Sequence, residues 1–278
     1  RTNPLNHYVP SLFFRWAFAL SAIIVGSWCS TGYSESNDHF VASVDTPIHM
    51  PGDSRVHKTA LQELVGAFPN AMPDALHLLK DDAPQPDSIF VGLLDESQTV
   101  QRLARQGLIG LHNVPQELDA YEVLVHNQTL YLVGNTPRGM LHAVYKFQEL
   151  MREGKALDTA THLRGTFQIK QRFFHQRFNG WPGEAADIRY ISHLGASHCL
   201  LTHDWQGDLR HMQAYVTSSV FPKAVDTASV ESQQNDLRRM LETCLDYGLE
   251  PALWITELPC QGGPWVPEPS RQQFLTRF

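Results

Sequence analysis

Cysteine is scarce in this sequence and forms no motif. The 278 residues include four cysteines, Cys29, Cys199, Cys244 and Cys260, and none of them has CxxC spacing. A disulfide-dense scaffold and a cysteine-based zinc motif are therefore excluded. We expect the thiols to pack as small hydrophobic side chains. A Cys244–Cys260 bridge stays open if the protein lies in an oxidising compartment.

The sequence also lacks the signatures of nucleic-acid, dinucleotide and metal binding. Its net charge is −7 and its lysines and arginines form no basic stripe, which argues against a nucleic-acid partner. The first strand–helix joint of the second half reads RFNGWPGE and has no GxGxxG loop. The 14 histidines include no HExxH pattern, so we predict no metal site and no other cofactor.

Long apolar runs are missing except near the N-terminus. Trp16 to Trp28 is apolar apart from two serines and is preceded by Arg15. This run is shorter than the about 20 apolar residues of a membrane span, and it is typical of the core of a signal peptide. We predict a signal peptide over residues 1–32 and a secreted or periplasmic protein without stable membrane insertion after cleavage. An uncleaved anchor and lipidation at Cys29 stay open.

The most regular segment runs from Tyr121 to Arg152. It begins with the alternating pattern of a strand, passes through the turn residues Asn127 and Gln128, and continues into an apolar strand. Thr136 and Pro137 then occupy the N-cap and the first position of a helix with apolar residues at helical spacing. The segment therefore predicts a β-hairpin followed by an amphipathic helix.

Residues 33–160 are predicted to form one small domain in which strands alternate with helices. Phe40 to Val44 and Ser88 to Leu93 have strand patterns, whereas Thr59 to Phe68 and Ser97 to Gln106 have helical spacing. Together with the hairpin and its helix, these elements favour an α+β sandwich.

The same segments resemble a known accessory domain. SIFVGLLDES, a helix, and then AYEVLVHNQTLYLVGNTPRGMLHAVYKFQELM resemble the N-terminal domain of family 67 α-glucuronidases and family 20 β-N-acetylhexosaminidases. The matching positions are Tyr121, Gly134, Pro137, Arg138, Gly139, Tyr145 and Phe147. In those families the domain precedes a catalytic barrel, so the resemblance implies an architecture and not an active site.

Residues 161–278 show a second pattern of strand–helix repeats. Predicted strands at Phe173 to Phe178, His198 to Thr202 and Pro251 to Thr256 alternate with helices at Glu184 to Leu194 and Asp236 to Tyr247. This order favours parallel strands with right-handed crossovers. The predicted fold class is α/β: a small α+β sandwich domain followed by the first part of a (β/α)8 TIM barrel. A complete barrel needs about 250 residues, so we expect a truncated barrel and a fragment of a longer protein.

Reactive side chains of such barrels lie at the C-terminal ends of the strands and in the loops that follow them. Seven residues occupy those positions here: Arg177, Asn179, Trp181, His203, Asp204, Trp205 and Glu257. Tryptophan rings can stack on a pyranose, the polar groups can bind its hydroxyls, and arginine can clamp a carboxylate. We predict a carbohydrate-binding role for these seven, against the alternative that they only pack or form ion pairs at the barrel rim.

The predicted function is an exported glycoside hydrolase acting on poly- or oligosaccharides, like an α-glucuronidase or a β-hexosaminidase. Glycoside hydrolysis uses two carboxylates, and the resemblance implies that they follow later strands. The catalytic residues are therefore expected beyond residue 278, and the fragment itself is expected to be inactive. Two alternatives stay open: a non-catalytic carbohydrate-binding or cell-surface protein on the same scaffold, and an unrelated exported barrel enzyme.

Overall fold

A computed structural model describes residues 39–68, 76–174, 185–201 and 227–253. These residues belong to one unit, Asn37–Phe278, which is described here by itself. Within it, two short strands, β1 (His39–Phe40) and β7 (Leu157–Asp158), pair antiparallel. The predicted signal peptide over residues 1–32 lies outside the described residues.

A six-stranded mixed sheet forms the centre of the first half. Its strands are β2 (Ile48–His49), β3 (Leu78–Leu79), β4 (Ser88–Leu93), β5 (Tyr121–His126), β6 (Thr129–Gly134) and β8 (His162–Gly165). The order across the sheet is β3-β2-β4-β6-β5-β8. Strands β3, β2, β4 and β6 run parallel, whereas β5 is antiparallel to both β6 and β8. The central strands β4 and β6 are buried throughout, which explains their continuous apolar sequences.

The predicted hairpin is confirmed. Asn127 and Gln128 join β5 to β6 with φ angles of 50° and 57°. Two consecutive left-handed residues make a type I′ turn, whose twist matches that of the two strands. The turn thereby fixes the register in which Tyr121 lies opposite Gly134.

Helices cover both faces of this sheet. Helix α1 (Arg55–Val65) and helix α3 (Pro137–Arg152) pack on one face, and α2 (Gln98–Arg105) packs on the other. Phe147 of α3 and Phe90 of β4 are completely buried, on opposite faces. Burial of a side chain of this size contributes about 1.5–3 kcal/mol. The helices therefore hold the sheet between two apolar layers.

The start of α3 confirms the predicted cap. The Thr136 hydroxyl accepts a hydrogen bond from the Gly139 amide at 3.0 Å, and Pro137 begins the helix. Gly134 is required by close packing, since a Cβ atom there would lie 2.1 Å from the backbone nitrogen of Met140. The glycine turn thus lets the helix return directly over the strand that precedes it.

Three parallel strands follow the six-stranded sheet. They are β9 (Phe173–Phe174), β10 (His198–Leu201) and β11 (Glu250–Leu253), joined through α4 (Ala185–His193) and α5 (Thr227–Asp246). The strands lie in sequence order, β9-β10-β11. Both helices contribute to one apolar cluster with Cys199 of β10. This arrangement confirms the α/β class and is consistent with part of an α/β barrel-like domain, and no closed barrel is present among the described residues.

Some predicted boundaries were wrong. Phe40 to Val44 was predicted as the first strand, but the chain after Phe40 turns, and Ile48–His49 enters the six-stranded sheet instead. Helix α5 begins nine residues before the predicted Asp236. Its first turns are polar, so the apolar spacing that located the helix starts only at Leu237. No helix in the described part of the chain is long and apolar enough to cross a bilayer.

Candidate functional site

The parallel sheet places three strand ends along one edge. His198 of β10 lies beside Phe173 of β9 and Glu250 of β11, so the three strands begin at one edge and end at the opposite one. At the ending edge, Leu201 lies directly beside Leu253. The segments that carry the predicted carbohydrate-binding residues begin immediately after these strand ends.

The predicted residues themselves are outside the described ranges. They are Arg177, Asn179, Trp181, His203, Asp204, Trp205 and Glu257. Their role in carbohydrate binding stays a prediction. The candidate active site is therefore defined by the C-terminal edge of β9, β10 and β11.

The opposite edge of the parallel sheet holds a buried ionic cluster around Asp119. The Asp119 carboxylate accepts hydrogen bonds from Arg138 Nε at 2.9 Å, Arg172 Nη2 at 2.5 Å and Thr136 Oγ1 at 2.7 Å. Burial raises the pKa of Asp119, but hydrogen bonds from Arg138 and the charge of its guanidinium reverse that effect and leave the pKa below its usual range. Asp119 is therefore a carboxylate at neutral pH.

Both arginines of this cluster reach the parallel sheet. Arg138 Nη1 donates to the Gly248 carbonyl at 2.9 Å, two residues before β11 begins. Arg172 Nε donates to the Gly195 carbonyl at 2.5 Å, and its guanidinium lies 4.1 Å from the centre of the Phe167 ring. Because these contacts meet the N-terminal edge of the strands, the cluster is structural and joins the two sheets.

A second buried carboxylate, Glu63 on α1, joins three other helical segments. Arg189 of α4 binds it in bidentate fashion, with Nε–Oε1 and Nη2–Oε2 distances of 2.7 Å each. Gln148 of α3 donates to the Glu63 carbonyl, and the Tyr247 hydroxyl donates to Oε1 at 3.4 Å. Burial raises the pKa of Glu63, but His193 and Arg189 lower it to about 2.

Aromatic and histidine rings fill the space between α3 and α4. The Tyr145 and His193 rings stack at 3.7 Å, and the Tyr145 hydroxyl lies 3.0 Å from the Ser192 hydroxyl. His142 is almost completely buried with its ring centre 4.8 Å from that of Phe167. Burial lowers the pKa of His142 to about 4, so the imidazole is neutral at pH 7.

The sequence interpretation missed these interior charges. Glu63 lies among Ala60, Leu64 and Ala67 on the apolar side of α1, and a lone carboxylate on such a face is a sequence signal for a buried ion pair. Asp119 gave no comparable signal because it precedes a strand in an ordinary loop. In the described ranges, no three potential metal ligands converge.

The chain is similar to known proteins in structure and not in sequence. No protein-family model matches it, and no curated protein matches it in sequence. Among solved structures, "Structure of CpGH84D" matches with a TM-score of 0.54 and 12% identity, over 85% of this chain and 38% of that chain. "Structure of CpGH84B" matches with a TM-score of 0.52 and 11% identity, over 87% of this chain and 39% of that chain.

The fold is glycoside-hydrolase-like. Both matched structures are glycoside hydrolases, and each match extends over more than four fifths of this chain. The chain spans less than two fifths of the length of either protein. At 11–12% identity the likeness defines the fold alone.

Proposed function

We propose that this chain belongs to an exported glycoside hydrolase that acts on poly- or oligosaccharides, and that it contributes an accessory domain and the opening strands of the catalytic barrel. The observation that carries the proposal is the common C-terminal edge of β9, β10 and β11. Segments rich in tryptophan, arginine and carboxylates follow directly from that edge. The glycoside-hydrolase-like fold supports the same assignment.

In this proposal the segment after β9 forms the first part of the sugar site. Arg177 clamps a carboxylate of the substrate by two parallel hydrogen bonds. Trp181 stacks on the apolar face of a pyranose, and Asn179 binds hydroxyl groups. Uronic-acid and N-acetylhexosamine substrates are the two classes that follow from the resemblance to α-glucuronidases and β-hexosaminidases.

The segments after β10 and β11 complete the proposed site. Trp205 offers a second stacking surface, and His203 and Asp204 hydrogen-bond the sugar. Glu257 positions the substrate and is not assigned as the catalytic acid. The pair of carboxylates that hydrolysis requires is not assigned to residues of this chain.

Binding measurements test the proposal. Purified chain is titrated with glucuronic acid, N-acetylglucosamine and short oligosaccharides of each, and tryptophan fluorescence reports binding. Arg177→Ala and Trp181→Ala should each weaken binding of the preferred sugar by about tenfold or more, because one charge-assisted hydrogen-bond pair or stacked ring contributes about 1.5–3 kcal/mol. Lys170→Ala, which removes an exposed partner of Glu117, is the matched control and should leave affinity unchanged.

Two outcomes contradict the proposal. If the wild-type chain binds neither sugar class in the millimolar range, the proposed carbohydrate site is wrong. If both Arg177→Ala and Trp181→Ala bind the sugar with unchanged affinity, these two residues do not belong to the site. Because no catalytic pair is assigned, we expect binding without turnover, and hydrolysis of an aryl glycoside by this chain would contradict that assignment.

A further inference from the structure

A groove between α3 and α4 has the dimensions of a small-ligand site. It has a volume of about 480 Å³ and is lined by Gly66, Gln148, Arg152, Arg189, Tyr190 and His193. A second cavity of about 380 Å³ shares Arg152 and His193 with it and continues along α3. Small-molecule sites have volumes of about 300–1,000 Å³. We refer to the six-residue lining as the α3–α4 groove.

The α3–α4 groove is separate from the proposed glycosidase site. Arg189 and His193 lie in the second half of α4, which leads from the end of β9 back to the start of β10. They therefore lie toward the edge where the parallel strands begin. The proposed sugar-binding segments follow the opposite edge.

One guanidinium of the groove is held in a fixed orientation. Arg189 uses Nε and Nη2 to bind the buried Glu63 carboxylate, and its side chain is 50% exposed. Its Nη1 group makes no hydrogen bond with any residue that the structure describes. Arginine held in this way by two hydrogen bonds loses little conformational freedom when a ligand binds its remaining donors.

A second guanidinium of the groove has no acidic partner among the residues that the structure describes. Arg152 Nε donates to the Gln148 carbonyl at 3.3 Å, and no carboxylate of the described residues lies within ion-pair distance of Arg152. The nearby carboxylates already have partners, because Glu63 binds Arg189, Glu149 binds Lys146 at 2.8 Å and the exposed Glu153 binds Lys155 at 2.6 Å. The lining therefore has an excess of positive charge with directional N–H donors.

An exposed aromatic ring completes the groove. Tyr190 is 55% exposed, whereas Ile188, two positions earlier on the same helix, is buried. The two side chains therefore lie on different faces of α4. A flat, accessible ring beside two guanidinium groups combines a stacking surface with N–H groups that can donate hydrogen bonds to a carboxylate. A pyranose ring that carries a carboxylate presents both complementary features, an apolar C–H face and a planar anion.

We propose that the α3–α4 groove is a secondary binding site for an acidic sugar, in which Arg152 and Arg189 bind the carboxylate and Tyr190 stacks on the ring. The site would hold a uronic-acid unit of a polysaccharide outside the catalytic centre. The choice of a saccharide rests on the proposed function, whereas the groove and its charges do not. An inorganic anion lacks the apolar ring face that stacks on Tyr190, and a neutral sugar lacks the carboxylate that binds the two arginines. Each can therefore make only one of the two kinds of contact.

The experiment separates this groove from the proposed active site. Binding of sodium glucuronate is measured by calorimetry and by NMR in the Arg177→Ala/Trp181→Ala double variant, in which the C-terminal edge has lost its proposed carboxylate clamp and one of its stacking rings. Glucose and sodium sulfate are titrated at the same ionic strength. We expect glucuronate to bind more tightly than either, with shifts in the Tyr190 ring signals and weaker binding as salt concentration rises.

Substitutions within the groove give the decisive comparison. Arg152→Gln should weaken glucuronate binding by about tenfold, because it removes a charge-assisted pair, and Arg152→Lys should restore part of the loss. Tyr190→Ala should weaken glucuronate more than sulfate. Arg105→Gln on α2 is the control, since Arg105 is exposed and α2 packs on the opposite face of the sheet.

Each result has a definite meaning. Unchanged glucuronate affinity in Arg152→Gln, or sulfate binding as tight as glucuronate with no effect of Tyr190→Ala, would overturn the groove proposal. Failure of the active-site proposal has a different signature, namely sugar affinity that is insensitive to Arg177 and Trp181. Circular dichroism of Arg152→Gln verifies folding, which should be retained because the Arg152 side chain is exposed.

Discussion

Replacing Glu63 with glutamine removes a buried charge while keeping the size of the side chain. The Glu63 carboxylate is 3% exposed and makes a bidentate ion pair with Arg189. His193 and Arg189 lower its pKa from 4.5 to about 2. This lowering of the Glu63 pKa corresponds to about 3 kcal/mol in the free energy of unfolding. Because the Arg189 side chain is half exposed to water, we reduce this to about 2 kcal/mol.

The sign of the pH dependence follows from the direction of the shift. Glu63 has a lower pKa in the folded than in the unfolded protein, so its contribution is fully present above about pH 4.5. It is lost as pH falls from 4.5 toward about 2, because the unfolded state takes up the proton first. Glu63→Gln should therefore be less stable than wild type at pH 7, and the difference should shrink steadily below pH 4.5.

Urea unfolding between pH 7 and pH 3 measures this difference. Glu153→Gln is the matched control, because Glu153 is an exposed carboxylate that pairs with Lys155 at the surface, and its midpoint at pH 7 should equal that of wild type. The reasoning is refuted if Glu63→Gln matches wild type at pH 7. It is also refuted if the gap between the two proteins is the same at pH 7 and pH 3.

Three further predictions concern the interior. Asp119→Asn keeps the left-handed backbone (φ 48°) but removes the counter-charge of the partly buried Arg172 and leaves Arg138 with the exposed Glu250 at 3.5 Å. Urea unfolding should therefore show a loss of about 3 kcal/mol or more, and a loss below about 1 kcal/mol would contradict the structural role of the cluster. Wild type should lose stability as pH falls from 6.5 toward 4, because unfolded His142 gains a proton that the folded protein excludes. His142→Leu should have a shallower slope in the same assay, with a remainder because burial also lowers the pKa of His57, and an unchanged slope would contradict the argument. Gly134→Ala should destabilise the protein by about 3 kcal/mol or more in thermal unfolding, since the added Cβ would meet the Met140 backbone. Gly107→Ala is the control, because Gly107 has φ +73° but open space around it, and it should lose only about 1–2 kcal/mol. Equal losses in the two variants would refute the argument.

Much of the local structure was predictable because its causes are local. The Asn127-Gln128 turn, the Thr136 cap and the apolar spacing of α3 all depend on residues within a few positions of one another. The short strand Ile48–His49 was missed because two residues give no periodicity, and its place in the sheet depends on pairing with β3 and β4. The start of α5 was missed because its first turns are polar, and the apolar spacing begins only at Leu237.

The sequence by itself determined the alternation of strands and helices, the hairpin and the α/β class. It also indicated which segments follow strand ends, and this defines where a sugar site is expected. Only the tertiary structure decided which charges meet in the interior. Glu63 meets Arg189 across 126 positions of the chain, and Asp119 meets Arg172 across 53. Periodicity and capping are short-range properties, whereas the pairing of buried charges depends on how sheets and helices pack, so the α3–α4 groove became visible only in the folded chain.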